Sequence, residues 1–282
     1  MSVPVGLRLR PLEIGDLLDE TFRMYRRHFL LFAGISVILA IPSAALFGLG
    51  FGSFFAAVQG NGGATDTNSF TLLFAALGVA LFLGILLLPF THTAVLYAAC
   101  ESAQGRPVTA GGIFTGVMRR YFPLLAYWLL FNQLTAELAA ALCLVPLIFW
   151  LWGFITWLVV APAMMVENIG LGAAFGRSMQ LVHGRWWRTF LIFFLLVLLW
   201  LATYVGLGAF VQIAQVVLGI FVSPVIVTAA ATASGQLVVA LVNPIMQIAI
   251  VLVYFDLRVR REGLDLFQMA SRLSAPRAQV AS

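Results

Sequence analysis

TFLIFFLLVLLWLATYVGLGAFVQIAQVVLGIFVSPVIVTAAATASGQLVVALVNPIMQIAIVLVYF, residues 189–255, runs without one Asp, Glu, Lys or Arg. A helix crosses the hydrocarbon of a bilayer with about 20 residues, each rising about 1.5 Å, so this block is too long for one crossing and predicts two. They are expected over about 189–217 and 227–255, with a turn near 219–224. The apolar stretch 219–235 leaves a half-inserted segment as the alternative. Outward along the chain, 121–166 is interrupted only by Glu137, and 28–100 only by Asp66. The same length argument predicts spans at about 121–144 and 147–166, turning around Pro146, and at about 28–57 and 70–100, turning at 59–69.

The fold class is therefore an all-α integral membrane protein of six transmembrane helices in three hairpins. A cytoplasmic amphipathic helix (1–27) precedes the membrane domain (28–256), and a cytoplasmic tail (257–282) follows it. Composition agrees: 62% of the 282 residues are hydrophobic and 10% charged, where a soluble domain carries about 25% charge. All 16 basic residues are arginine: five in 1–27, three in 101–120, three in 167–188 and five in 256–282, with none in the predicted turns of the hairpins. By the positive-inside bias both termini are cytoplasmic. The first apolar run exceeds a signal-peptide core, so the first span is expected to stay attached. An arginine-only basic set fits a GC-rich bacterial genome, hence a multi-pass protein of the bacterial cytoplasmic (inner) membrane. It also excludes mechanisms that need a lysine amine, such as a Schiff base or a P-loop. Cys100 and Cys143 fall near opposite membrane faces, which speaks against a disulfide between them.

Each hairpin is preceded by an arginine-bearing elbow. Ile14, Leu18, Phe22, Tyr25 and Phe29 share one helical face, with acids early and arginines late to suit the helix dipole and to pair Asp19 with Arg23. Ile113, Phe114 and Val117 precede the third span; Leu171, Phe175, Met179, Val182 and Trp186 form a face before the fifth. The elbows end on Arg26, Arg27, His28, Phe29; on Arg119, Arg120, Tyr121, Phe122; and on Arg185, Trp186, Trp187, Arg188. Either a threefold internal repeat or the ordinary chemistry of an inner-leaflet boundary produces this wording.

Small residues recur every fourth position on the first span, at Ser36, Ala40, Ala44, Gly48, Gly52 and Ala56, and Ala76, Ala80 and Gly84 are expected to answer them from the second. Such ridges let helices approach closely in lipid. Pro42, Pro89, Pro162 and Pro244 fall inside spans and tend to kink them.

Glu137, with Gln133 one turn earlier, is the acid inside a span, about 25 Å from the cytoplasmic end. Asn243 and Gln247 on the last span lie about 20 and 14 Å deep, matching Gln133 and His92. His92, Gln133, Glu137, Asn243 and Gln247 thus form a candidate polar layer, read either as interhelical hydrogen bonding or as a substrate or proton pathway. His28 and His183 have no second ligand at metal-binding spacing, and no nucleophile elbow, cysteine pair or His-Glu-x-x-His motif is present, so no catalytic residue, metal or cofactor is assigned. Arginines spread over one membrane face suit anionic lipid headgroups rather than nucleic acid.

The last span leaves the membrane through Tyr254, Phe255, Asp256, Leu257, Arg258, Val259, Arg260, Arg261, Glu262, Gly263, Leu264, Asp265 and Leu266, in which Asp256/Arg260, Arg258/Glu262 and Arg261/Asp265 are opposite charges four apart. With Arg10, Pro11, Leu12, Ile14, Gly15, Leu18, Asp19, Phe22, Tyr25 and Arg26, and the elbow around Ser178 and Arg185 to Arg188, this resembles the membrane domain that precedes the catalytic domain in some bacterial glycerophosphodiester phosphodiesterases. The resemblance implies a stand-alone membrane domain. The His-Arg-Gly motif of the catalytic barrel is missing, since His183, Gly184 and Arg185 stand in another order. The expectation is a non-enzymatic scaffold or regulator linked to lipid or envelope metabolism. Its contacts to headgroups or to a protein partner would come from Arg26, Arg27, Arg119, Arg120, Arg185, Arg188, Asp256, Arg258, Arg260 and Arg261. A small-molecule or lipid transporter is the alternative.

Overall fold

The computed structural model describes residues 13–60, 67–130 and 151–263. Helix α1 (Ile14–Arg27) is separated from α2 (Phe29–Gly60) by His28. There follow α3 (Thr67–Ala103), α4 (Ala110–Met118), α5 (Tyr121–Trp128), α6 (Val160–Glu167), α7 (Leu171–Val182), α8 (Trp186–Leu218) and α9 (Pro224–Glu262). Among the described residues there is no strand. Among the described residues three helices are long and apolar enough to cross a membrane: Phe29–Ala56 of α2, α8 and α9.

The three differ in what covers them. In its most apolar stretch α9 is 61% buried, against 22% for α2 and 11% for α8. So α9 is the axis of the bundle, packed most extensively on α2 and also on α1, α3 and α8. Helix α8 presents Leu198, Val205, Phe210, Ile213 and Val216 outward, as a helix solvated by lipid does. At about 1.5 Å per residue, the 39 residues of α9 outreach the roughly 30 Å of hydrocarbon.

Helix α8 stops at Leu218, and α9 starts with Pro224 after Ser223 at its N-cap. Proline there fixes a helical φ and withholds only an N–H that has no helical partner. The turn thus stands at 219–223, and 224–235 form the first turns of α9 rather than a separate half-inserted segment. At the other end the helix continues to Glu262 and closes on Gly263 in the left-handed region, φ 60. The boundary expected at residue 257 therefore falls inside a continuous helix.

The small-residue ridge of α2 is seated on α9. A Cβ on Gly48 would lie 2.8 Å from the Ala229 carbonyl oxygen and 3.2 Å from Ala233 Cβ, and one on Gly52 would lie 2.8 Å from Ala229 Cβ. Tyr25 Oη, just before α2, donates to the Leu241 carbonyl at 2.7 Å. Contacts at 25/241, 48/229 and 52/229 run in opposite order along the two helices, so α2 and α9 are antiparallel. The side chains of Ala76, Ala80 and Gly84 lie outside the described residues.

Several expectations need correction. Helix α1 buries Leu17, Thr21, Met24 and Tyr25; of the expected stripe, Tyr25 is thus in the core, Ile14, Leu18 and Phe22 pack half-buried against it, and Phe29 is exposed. Helix α7 buries Ala174, Ser178, Leu181 and Val182 and leaves Met179 exposed. In both, the face that meets protein is wider than the apolar stripe and takes in small or polar residues beside it, such as Thr21, Ala174 and Ser178. Arg23 pairs with Glu20 at 3.1 Å rather than with Asp19. The expected span 147–166 is broken at 157–159: a helical stretch from 151 ends there, α6 begins at Val160, and Pro162 sits in its first turn, where proline breaks no helical bond. The chain then bends by 119° into α7, with Asn168 at φ 57. Gln133, Glu137, Cys143 and the turn around Pro146 lie outside the described residues.

Candidate functional site

Two polar assemblies interrupt the apolar bundle. The first ties its arginine-rich end together. Glu167, the last residue of α6, receives Arg177 Nε at 2.9 and 2.8 Å on its two oxygens and Tyr254 Oη at 2.9 Å. Glu262 takes Arg177 on one oxygen and Arg258 Nε on the other, the latter at 2.9 Å. Arg258 also donates to Tyr254 Oη at 3.2 Å. Burial opposes the charge on Arg177, and the two carboxylates more than offset it, so its guanidinium holds its proton more firmly than usual.

Beside this, Asp256 is 1% exposed and lies between Arg188 Nη1 at 2.5 Å and Arg260 Nε at 2.9 Å. Arg185 and Arg261 donate across helices to the carbonyls of Arg260 and His183, at 3.1 and 3.0 Å. Ser178, buried, donates to the Thr156 carbonyl at 2.8 Å. Of the arginines expected at headgroups, then, Arg185, Arg188, Arg258, Arg260 and Arg261 are engaged inside the protein, as is Asp256. Among the described residues Arg26, Arg27, Arg119 and Arg120 make no ion pair, and all but the half-buried Arg120 are exposed.

The second assembly is a cavity of about 50 Å³ between α2, α3 and α9, lined by Ser36, Thr91, His92, Gln236, Asn243 and Gln247 among others. It joins three of the five residues expected in a polar layer. Gln247 Nε2 stands 2.5 Å from His92 Nδ1; an amide nitrogen donates, so Nδ1 is the acceptor. Asn243 and Gln236 line the cavity without a hydrogen-bond partner among the described residues. Ser36, 2% exposed, is the described residue whose buried side-chain oxygen finds no partner. Pro244 lacks the N–H that would reach the Ala240 carbonyl, and both residues line the same space.

His92 and Gln247 also line a second cavity, of about 340 Å³, whose walls include Leu124, Trp128, Phe154, Leu158 and Phe193. Ser36 counts as packing in the sequence because it belongs to the small-residue ridge. Its polar character shows only once the fold sets its unpartnered hydroxyl in the same cavity lining as Asn243 of another helix. Glu167 had a signal, as an acid closing an apolar run.

Among the described residues no cluster of three His, Cys, Asp or Glu side chains is arranged to hold a metal ion. Comparison with protein-family models, with curated proteins and with solved structures finds no match for this chain.

Proposed function

We propose that this is a non-enzymatic scaffold or regulatory protein of the bacterial inner membrane, with both termini in the cytoplasm. In this reading α3 and the segment 121–166 join α2, α8 and α9 to complete six crossings, with α1, α4 and α7 as surface elbows. The observation that carries it is the ion network. Arg177, Arg188, Arg258 and Arg260 spend their charge on Glu167, Asp256 and Glu262 and so lock α6, α7, α8 and α9 into one rigid end. Arg26, Arg27 and Arg119 remain outward for anionic headgroups or an acidic partner. A rigid end with outward cations suits a platform. The resemblance to the membrane domain of glycerophosphodiester phosphodiesterases supports an attachment to lipid or envelope metabolism.

The competing reading, a transporter, draws on the polar cavity. Purified protein in liposomes separates them. The scaffold reading expects no solute uptake or lipid scrambling above empty liposomes, and tighter association with anionic than with zwitterionic vesicles that is lost on replacing Arg26, Arg27 and Arg119 by Ser. Protein-dependent flux would overturn it.

A further inference from the structure

We infer that the two cavities that meet at His92 and Gln247 form one binding site for an uncharged amphiphile, with a hydroxyl-bearing head in the polar chamber and a hydrocarbon chain in the apolar one. This goes beyond the scaffold role and does not depend on it. The polar chamber offers the buried hydroxyl of Ser36, which has no partner, the half-buried amides of Asn243 and Gln236, and the Ala240 carbonyl, whose i+4 helical donor Pro244 removes. An unsatisfied hydroxyl as buried as that of Ser36 is rare and calls for a partner. Water alone would fill about 50 Å³, but two of the lining residues are shared with a larger cavity.

His92 and Gln247, which line both cavities, also border about 340 Å³ walled mainly by aliphatic and aromatic side chains, more than twice the roughly 150 Å³ that admits benzene in an engineered apolar cavity. The proposed ligand passes between these two side chains. Neither lining contains Arg, Asp or Glu among the described residues. Arg188 and Arg260, on the helices that wall the cavities, are committed to Asp256 at the end of the bundle, and Arg27 and Arg120 line neither cavity. A phosphorylated or carboxylate head would therefore enter without a counter-charge, at a cost that a neutral hydroxylated head avoids.

The test uses the full-length protein in nanodiscs with a monoacylglycerol carrying a diazirine on its acyl chain. Photolabelling should be saturable and should map to peptides bearing Trp128 and Phe154. Unlabelled monoacylglycerol should compete at least tenfold better than a lysophosphatidate of the same chain. Equal competition, or labelling spread over the outward face of α8 around Phe210, would overturn the site.

Two variants sharpen it. Ala240→Leu fills the polar chamber and should abolish saturable labelling. Ser36→Ala removes an unbonded hydroxyl, so the empty protein should melt at the same or a higher temperature while binding weakens about two- to tenfold. Should Ala240→Leu fail to fold, Ser36→Ala still decides: unchanged binding there means that Ser36 meets no ligand and the proposal falls.

Discussion

Replacing Gly48 by Ala should destabilise the protein although alanine is the better helix former. A helical Gly→Ala exchange in open surroundings gains about 0.5–1 kcal/mol. At Gly48 the new methyl would stand 2.8 Å from the Ala229 carbonyl oxygen and 3.2 Å from Ala233 Cβ. Ordinary contact needs about 3.5 Å. The obstructing atom is backbone, so α2 and α9 must separate by about 0.7 Å over the contact that closes the bundle. Overpacking of this kind costs about 1–3 kcal/mol, and the net expectation is a loss of about 1–2 kcal/mol.

Gly206 on α8 is the internal control, because a Cβ there meets nothing within 4 Å. Gly206→Ala should gain the propensity term intact. Both variants can be unfolded in mixed micelles by increasing the mole fraction of a denaturing detergent, with helix content as the signal. The opposite signs are the signature. A Gly48→Ala protein as stable as Gly206→Ala would show that α2 and α9 do not approach as described.

Two further outcomes follow from the polar contacts. Arg188→Met leaves the buried Asp256 with fewer partners and should cost about 1–3 kcal/mol; combined with Asp256→Asn it should cost less than the sum, and strict additivity in a double-mutant cycle would refute the pairing. Burial pushes the Tyr25 hydroxyl up to about 12 from its ordinary 10. With the folded value above the unfolded one, this group's stabilisation is complete below pH 10 and is lost as pH rises toward 12, by about 2 kcal/mol, and Tyr25→Phe should flatten that part of the pH profile.

The physics of the bilayer decides how much of this was legible in the sequence. The long apolar helices and the turn at Pro224 could be read from charge-free length and from one proline, both local properties. The faces of α1 and α7 were legible in part, because periodicity finds the apolar stripe but not the small and polar residues that are buried with it. Tyr25 and Val182 of the stripes are buried and Phe22 packs against the core, whereas the burial of Thr21, Ala174 and Ser178 has no apolar signal and Met179 is exposed. The pairs Asp256/Arg260 and Arg258/Glu262, four apart on one helix, follow from spacing and are present. Arg188/Asp256 and Arg177/Glu167 join different elements, and nothing within either segment announces them. Of the cavity, His92, Asn243 and Gln247 were visible as polar residues at matching depth, whereas Ser36 was hidden in the regular spacing of small residues.

The central position of α9 bears on how the chain is made. Of the described helices it is the last to leave the ribosome, yet α1, α2, α3 and α8 all rest on it. At about 5–20 residues per second, α2 waits about 10–30 seconds between its own completion at Gly60 and the start of α9 at Pro224. During that interval the ridge around Gly48 has no α9 to receive it and the Tyr25 hydroxyl has no Leu241 carbonyl. Packing on α9 therefore comes late, and until then α2 has α3, its other extensive neighbour, to rest on. Loss of the final helix would leave the α2–α3 pair intact but take away the surface on which α1, α2, α3 and α8 all rest.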